Sequence, residues 1–217
     1  MVADRNVYDK LISELEKEAV TLVAVSKTKP IEDIASLYAY GQRDFGENYV
    51  QELTEKQPVL PGNIQWHFIG HLQSNKVKYI APFVHLIHGI DSWKLLKEVN
   101  KQAARNNRVI PVLLQVHIAT EETKFGFDEA ELEEALSQSV SLEHIAIKGL
   151  MGMASFTDDL HQVEKEFGYL KSLYDDYVLS HAFSILSMGM SGDYKIAITH
   201  GSNMVRIGSL LFGSRNA

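Results

Sequence analysis

Apolar positions recur along this chain in two alternating rhythms. Val7, Leu11, Ile12 and Leu15 share one face at a period of 3.6 residues, which predicts a helix from about Asp4 to Glu18. Short runs that are apolar at both parities follow, such as Thr21-Leu22-Val23-Ala24-Val25 and Pro111-Val112-Leu113-Leu114. Such a run marks a strand buried on both faces, as in a parallel sheet. Eight strands are predicted: Val20–Val25, Arg43–Gly46, Ile64–Gly70, Val84–Ile90, Val109–Ile118, Ile145–Met153, Phe183–Met188 and Met204–Gly208. Helical patterns separate most of them. Pro30 suits a first helical turn before Ile31, and Gly41 is a stop signal. Further helices are expected at Glu47–Gln57, Ser92–Arg105 with Asp91 or Ser92 as cap, Asp128–Ser137, Asp158–Leu179 and Gly192–His200.

This alternation predicts an α/β fold, a single (β/α)8 TIM barrel with an extra amino-terminal helix, spanning 1–217 as one domain. The eight units average roughly 24 residues, so the barrel is lean beside the usual total of about 250. Little chain remains after the eighth strand for a final helix, and the amino-terminal helix is expected to fill that place in the wall. An open doubly wound sheet is the other arrangement. Regular units and the lack of a dinucleotide fingerprint favour the barrel.

Composition narrows the function classes. Among 217 residues, 21 are Lys or Arg and 28 are Asp or Glu, a net charge of -7. That balance argues against a general nucleic-acid or membrane-surface binder, though it permits a local basic pocket. With no cysteine, thiolate metal sites, disulfides and cysteine nucleophiles are excluded. The first residues lack a signal-peptide pattern, no run reaches membrane-span length, and a cytoplasmic location is expected. The pairs His67/His71 and His85/His88 do not fit HExxH, so no metal site is expected. Neither a GxSxG elbow nor a P-loop is present.

In a barrel, chemistry collects at the carboxyl ends of the strands. The seventh end reads Ser187-Met188-Gly189-Met190-Ser191-Gly192 and the eighth Arg206-Ile207-Gly208-Ser209. Gly and Ser there serve either as turn formers or as a phosphate cradle of backbone N–H and hydroxyl donors. Lys27 closes the first buried strand. It is either a lysine that reaches out to solvent or a partly desolvated amine able to form a Schiff base. Lys29 has the same parity but lies against Pro30, further from the barrel mouth. Arg206 interrupts an apolar strand, which calls for a buried ion pair or a ligand.

A lysine on strand one, an arginine on strand eight and an anion cradle between strands seven and eight together describe a pyridoxal phosphate (PLP) site. The sequence closely resembles the PLP-binding, or PLP homeostasis, family, whose barrel is like that of alanine racemase. The resemblance rests on VAVSKTKP (23–30), FGENYVQE (45–52), WHFIGHLQSNK (66–76), ETKFGF (122–127), GLMGMA (149–154), LSMGMSGD (186–193) and VRIGSLLFGSR (205–215). It implies that Lys27 carries the cofactor as a Schiff base and that Arg206 lies near the pyridine nitrogen. It also implies that Asn48 lies near the ring, and that Ser187, Gly208 and Ser209 hold the phosphate. Ser209 stands where the family usually has Thr, and His117 where Asn is common.

Family members bind PLP without established catalysis and affect vitamin B6 and amino-acid balance. Related racemases complete their site with a second, β-rich domain, and nine residues beyond Gly208 are too few for one. The expectation is therefore a non-catalytic, monomeric PLP protein with no catalytic residues, whose partners are PLP and possible PLP-dependent apoenzymes. The alternatives are a one-domain PLP enzyme, such as a weak amino-acid racemase, and a metal-dependent barrel hydrolase.

Overall fold

The computed structural model describes residues 4–121 and 125–213. Parts of the segments 122–127 and 205–215 therefore lie outside the described residues. Eight parallel strands close into a barrel in chain order: β1 (Thr21–Val25), β2 (Asp44–Glu47), β3 (Gln65–Phe68), β4 (Leu86–Ile90), β5 (Ile110–Gln115), β6 (Ile145–Met151), β7 (Ile185–Met190) and β8 (Met204–Ile207). The seam is made by β8 on β1, with Val23 opposite Arg206 and Ala24 opposite Ile207.

The helices are α1 (Arg5–Lys17), α2 (Ile31–Tyr40), α3 (Val50–Lys56), α4 (Val77–Ile80), α5 (Trp93–Arg105), α6 (Glu129–Ser139), α7 (Leu160–Tyr177), α8 (Tyr194–Thr199) and α9 (Ser209–Phe212). Local chemistry fixes several ends. Ser92 rather than Asp91 caps α5, and Asp128 and Glu131 form a capping box on α6. Gly41 ends α2 in the left-handed conformation, at φ 114°. Where the sequence pattern begins a helix at Glu47, the chain is still in β2, because the Glu47 side chain is buried in a polar cluster. Two short helices, α4 and α9, escape the pattern because four residues span little more than one turn.

The larger apolar core lies between the strands and the surrounding helices, as both-parity strands require. Helix α1 buries Tyr8, Leu11 and Leu15 and packs on β1, α2 and α9, so it takes up a place in the barrel wall. A smaller apolar layer of Val23, Leu86, Leu113, Met151 and Met204 forms a separate cluster. Beside it the buried set includes His67, His88, Gln115, Ser187 and Arg206. Five buried polar side chains are costly unless they are hydrogen-bonded. No described helix is long and apolar enough to cross a membrane.

Candidate functional site

Beyond the carboxyl ends of the strands lies a cavity of about 480 Å³. Its wall includes Lys27, Lys29, Asn48, Ser191, Arg206, Gly208 and Ser209. Among the described residues no acidic side chain lines it, although the chain as a whole is acidic. Three cations on such a wall favour an anionic occupant.

Lys27 is half-buried on the turn that follows β1. A polar cluster braces that turn from below. Ser26 Oγ donates to Glu47 Oε1 at 2.6 Å, and Lys56 Nζ donates to Ser26 O at 2.8 Å. Lys56 also pairs with Glu47 at 2.8 Å and with Glu52 at 2.5 Å. Glu52 Oε1 in turn accepts the Thr28 N–H at 2.6 Å. Thr28 sits at φ 62°, an uncommon conformation for a β-branched residue, held by these bonds. Burial raises the Glu47 pKa, while the bonds from Lys56 and Ser26 oppose that shift. Lys29 Nζ instead donates to Phe212 O at 3.1 Å, at the end of α9.

Arg206 is 4% exposed. Its Nη1 donates to Ser187 O at 2.9 Å and to Ser187 Oγ at 2.7 Å, and its Nη2 donates to Gly152 O at 3.0 Å. Among the described residues no carboxylate pairs with it. Burial pushes its pKa down to about 10, against a weaker opposing pull from Asp193. A buried guanidinium held only by neutral acceptors leaves its charge unanswered at the cavity wall.

Asn48 follows β2, and its Oδ1 is buried without a hydrogen-bond partner. Its backbone sits tightly against Gly70, where an added Cβ would stand 2.4 Å from Asn48 O. At the opposite wall the Gly208 N–H donates to Ser191 Oγ at 3.2 Å, tying the ends of β7 and β8 together. Ser209 opens α9, whose first N–H groups have no intrahelical acceptor.

The structure thus brings Lys27, Asn48, Arg206, Gly208 and Ser209 to one cavity. Ser187 lies apart from them. It is fully buried below Arg206 and does not line the cavity. Strand β7 runs on to Met190, two residues past its expected end, so the hydroxyl at the mouth is Ser191. The segment 186–193 contains both serines, and strand length alone decides between them. His117 also lies off the wall, with Nε2 3.0 Å from Glu121 O in its own loop.

The profile of the family described as "Alanine racemase, N-terminal domain" matches residues 5–216. The chain belongs to this family. It is 41% identical over 208 residues to the "Pyridoxal phosphate homeostasis protein" of Pasteurella multocida, covering 92% of this chain and 88% of that protein. The protein of the same name from Escherichia coli is 38% identical over 210 residues, covering 92% and 87%. Among solved structures, PipY of Synechococcus elongatus with PLP bound superimposes with a TM-score of 0.86 at 33% identity, covering 95% of this chain and 100% of that one. The alanine racemase of Bartonella henselae shares the fold, with a TM-score of 0.74 at 17% identity, over 100% of this chain and 62% of that one.

Proposed function

We propose that this chain is a PLP-binding protein of intracellular vitamin B6 and amino-acid homeostasis, acting as a monomeric cytoplasmic carrier without a catalytic step of its own. The observation that carries this reading is a cavity with no acid among its described lining residues, with Lys27 on one strand end and, on another, the buried guanidinium of Arg206, which no described carboxylate pairs. The homeostasis name borne by relatives near 40% identity supports the same role. PLP-dependent apoenzymes are the proposed recipients.

The residues present fit PLP. Asn48 Oδ1 is an orphaned acceptor at the wall, and Arg206 needs an acceptor that none of its described neighbours supplies as an anion. Bound PLP supplies an aldehyde that bonds an amine, a dianionic phosphate and an electron-withdrawing ring. Lys27 offers the amine. The hydroxyls of Ser191 and Ser209 offer neutral donors to the phosphate, beside Gly208, whose N–H donates to Ser191 Oγ and holds it there. Arg206 can only donate, so whatever ring atom it faces must accept. A ring nitrogen kept unprotonated in this way withdraws electrons weakly, which favours holding the cofactor over using it.

Borohydride reduction of the PLP-loaded protein followed by peptide mass spectrometry should place the pyridoxyl adduct on Lys27. An adduct on Lys29 would overturn that assignment. Racemisation assays across amino acids, run beside a known racemase, are expected to stay at background.

A further inference from the structure

Below Arg206, polar side chains from four strands run in a line through the barrel. Ser187 Oγ, which accepts from Arg206 at 2.7 Å, stands 3.2 Å from Nδ1 of His88. Nε2 of His88 is 2.9 Å from Nδ1 of His67, and Nε2 of His67 is 2.9 Å from Oδ1 of Asp44. His88 and Ser187 are fully buried, and Asp44 is partly exposed at the amino end of the barrel. Asp44 and His67 line a second cavity there, of about 450 Å³, together with His85 and Lys148. The line therefore joins the two mouths of the barrel.

Donor and acceptor chemistry permits two arrangements along it. In the first, His67 is neutral. Ser187 accepts from Arg206 and donates to His88 Nδ1, His88 donates from Nε2 to His67, and His67 donates from Nε2 to Asp44. Every bond then points away from Arg206. The second holds one more proton, taken from solvent. His67 carries N–H on both nitrogens, and the single N–H of His88 has moved from Nε2 to Nδ1, so Ser187 accepts from both sides. No heavy atom need move between the two.

We propose that Asp44, His67, His88 and Ser187 are positioning residues for Arg206, and that the proton content of His67 at the amino-end mouth sets the direction of their hydrogen bonds. The charged and titratable groups about the two rings are Asp44 on β2, bonded to His67, His85 and Lys148 at the same cavity, Arg206 on β8, which acts on His88, and Arg108, which acts on His85. His85 lies close, with ring centroids 5.4 Å apart. Burial, and then the charges of His67, Arg206 and His85, hold the His88 pKa well below the usual imidazole value. His88 thus passes on a tautomer change without becoming charged. When Ser187 donates to His88, its oxygen is the better acceptor for Arg206, because successive hydrogen bonds strengthen one another.

The chain itself can be tested without cofactor; only its effect on PLP rests on the function proposed above. Two-bond proton–nitrogen NMR of nitrogen-15-labelled, PLP-free protein distinguishes the two neutral tautomers from imidazolium. The expected result is Nε2–H on both rings at high pH. In whatever conditions His67 carries protons on both nitrogens, His88, still neutral, should be Nδ1–H. A His88 tautomer that stays fixed while His67 titrates, or a His88 that charges along with it, overturns the proposal. With PLP bound, the cofactor absorbance of the wild type should follow the His67 midpoint, and Ser187→Ala should lose that dependence. If His88 switches but the absorbance ignores it, the positioning of Arg206 is refuted. Failure of PLP to bind at all would refute the proposed function and leave the NMR result to decide on the chain.

Discussion

Glu47 illustrates how single residues here are set by burial. Its Oε1 takes bonds from Ser26 and Lys56, while Oε2 has no partner. Its folded pKa is raised above the ordinary carboxylate value, burial being the larger cause. The folded state therefore holds this proton more tightly than the unfolded chain does, and the contribution of Glu47 to stability falls as pH rises through that raised value. Each unit of separation is worth about 1.4 kcal/mol. Glu47→Gln should lack this component, so wild type should gain on the variant as pH is lowered across the window in paired denaturant titrations. A difference that is constant with pH would show that the Glu47 pKa is not raised on folding. The same physics decided which residues were legible in the sequence. Lys27 and Arg206 stood out because a charge at the end of, or within, an apolar strand is costly. Asn48 carried no such signal and came only through the family resemblance. The line from Asp44 to Arg206 was invisible because its histidines pair across strands, 67 with 88, and not at the local spacings 67/71 and 85/88.

At the scale of elements, close approaches at glycines set the site's geometry. Gly189 lies at φ 95°, and a Cβ there would stand 2.6 Å from Ala197 Cβ and 2.9 Å from Tyr194 Cα. It lets α8 lie against the end of β7, which aims Ser191 at Gly208. Gly189→Ala adds left-handed backbone strain and a clash with helix backbone, together costing on the order of 1–3 kcal/mol. We expect a lower thermal midpoint and at least tenfold weaker PLP binding by absorbance titration, because Ser191 moves with the loop. Unchanged affinity in a destabilised variant would detach Ser191 from the phosphate. Strand existence was legible most plainly in β1 and β5, where continuous apolar runs mark strands buried on both faces. Strand ends were less so. In β7 the run Met188-Gly189-Met190 reads equally as strand or loop, and that ambiguity ended the expected strand at Met188, two residues early. The short α4 and α9 complete too few turns to leave a period.

On the scale of the whole molecule, the proposed cofactor residues straddle the closing seam of the barrel. Lys27 follows β1 and Asn48 follows β2, while Ser191, Gly208 and Ser209 follow β7 and β8. Eight strands in sequence were foreseeable, but the pairing of β8 with β1 is the longest-range contact in the sheet and leaves no local trace. A ligand that spans this seam binds the closed barrel and not the unfolded chain, so it must stabilise by mass action. At a hundredfold excess over Kd the gain is about 2.7 kcal/mol, on the order of 5–10 °C for a chain of this size. On the proposed reading two kinds of attachment contribute, the covalent one at Lys27 and the phosphate contacts between β7 and β8. Lys27→Ala removes only the first. It should still show a PLP-dependent rise in melting temperature, displaced to higher PLP concentration, and pyridoxal without the phosphate should raise it less. A folded Lys27→Ala protein whose melting temperature ignores PLP at every concentration would mean that the β7–β8 end of the cavity does not hold the phosphate.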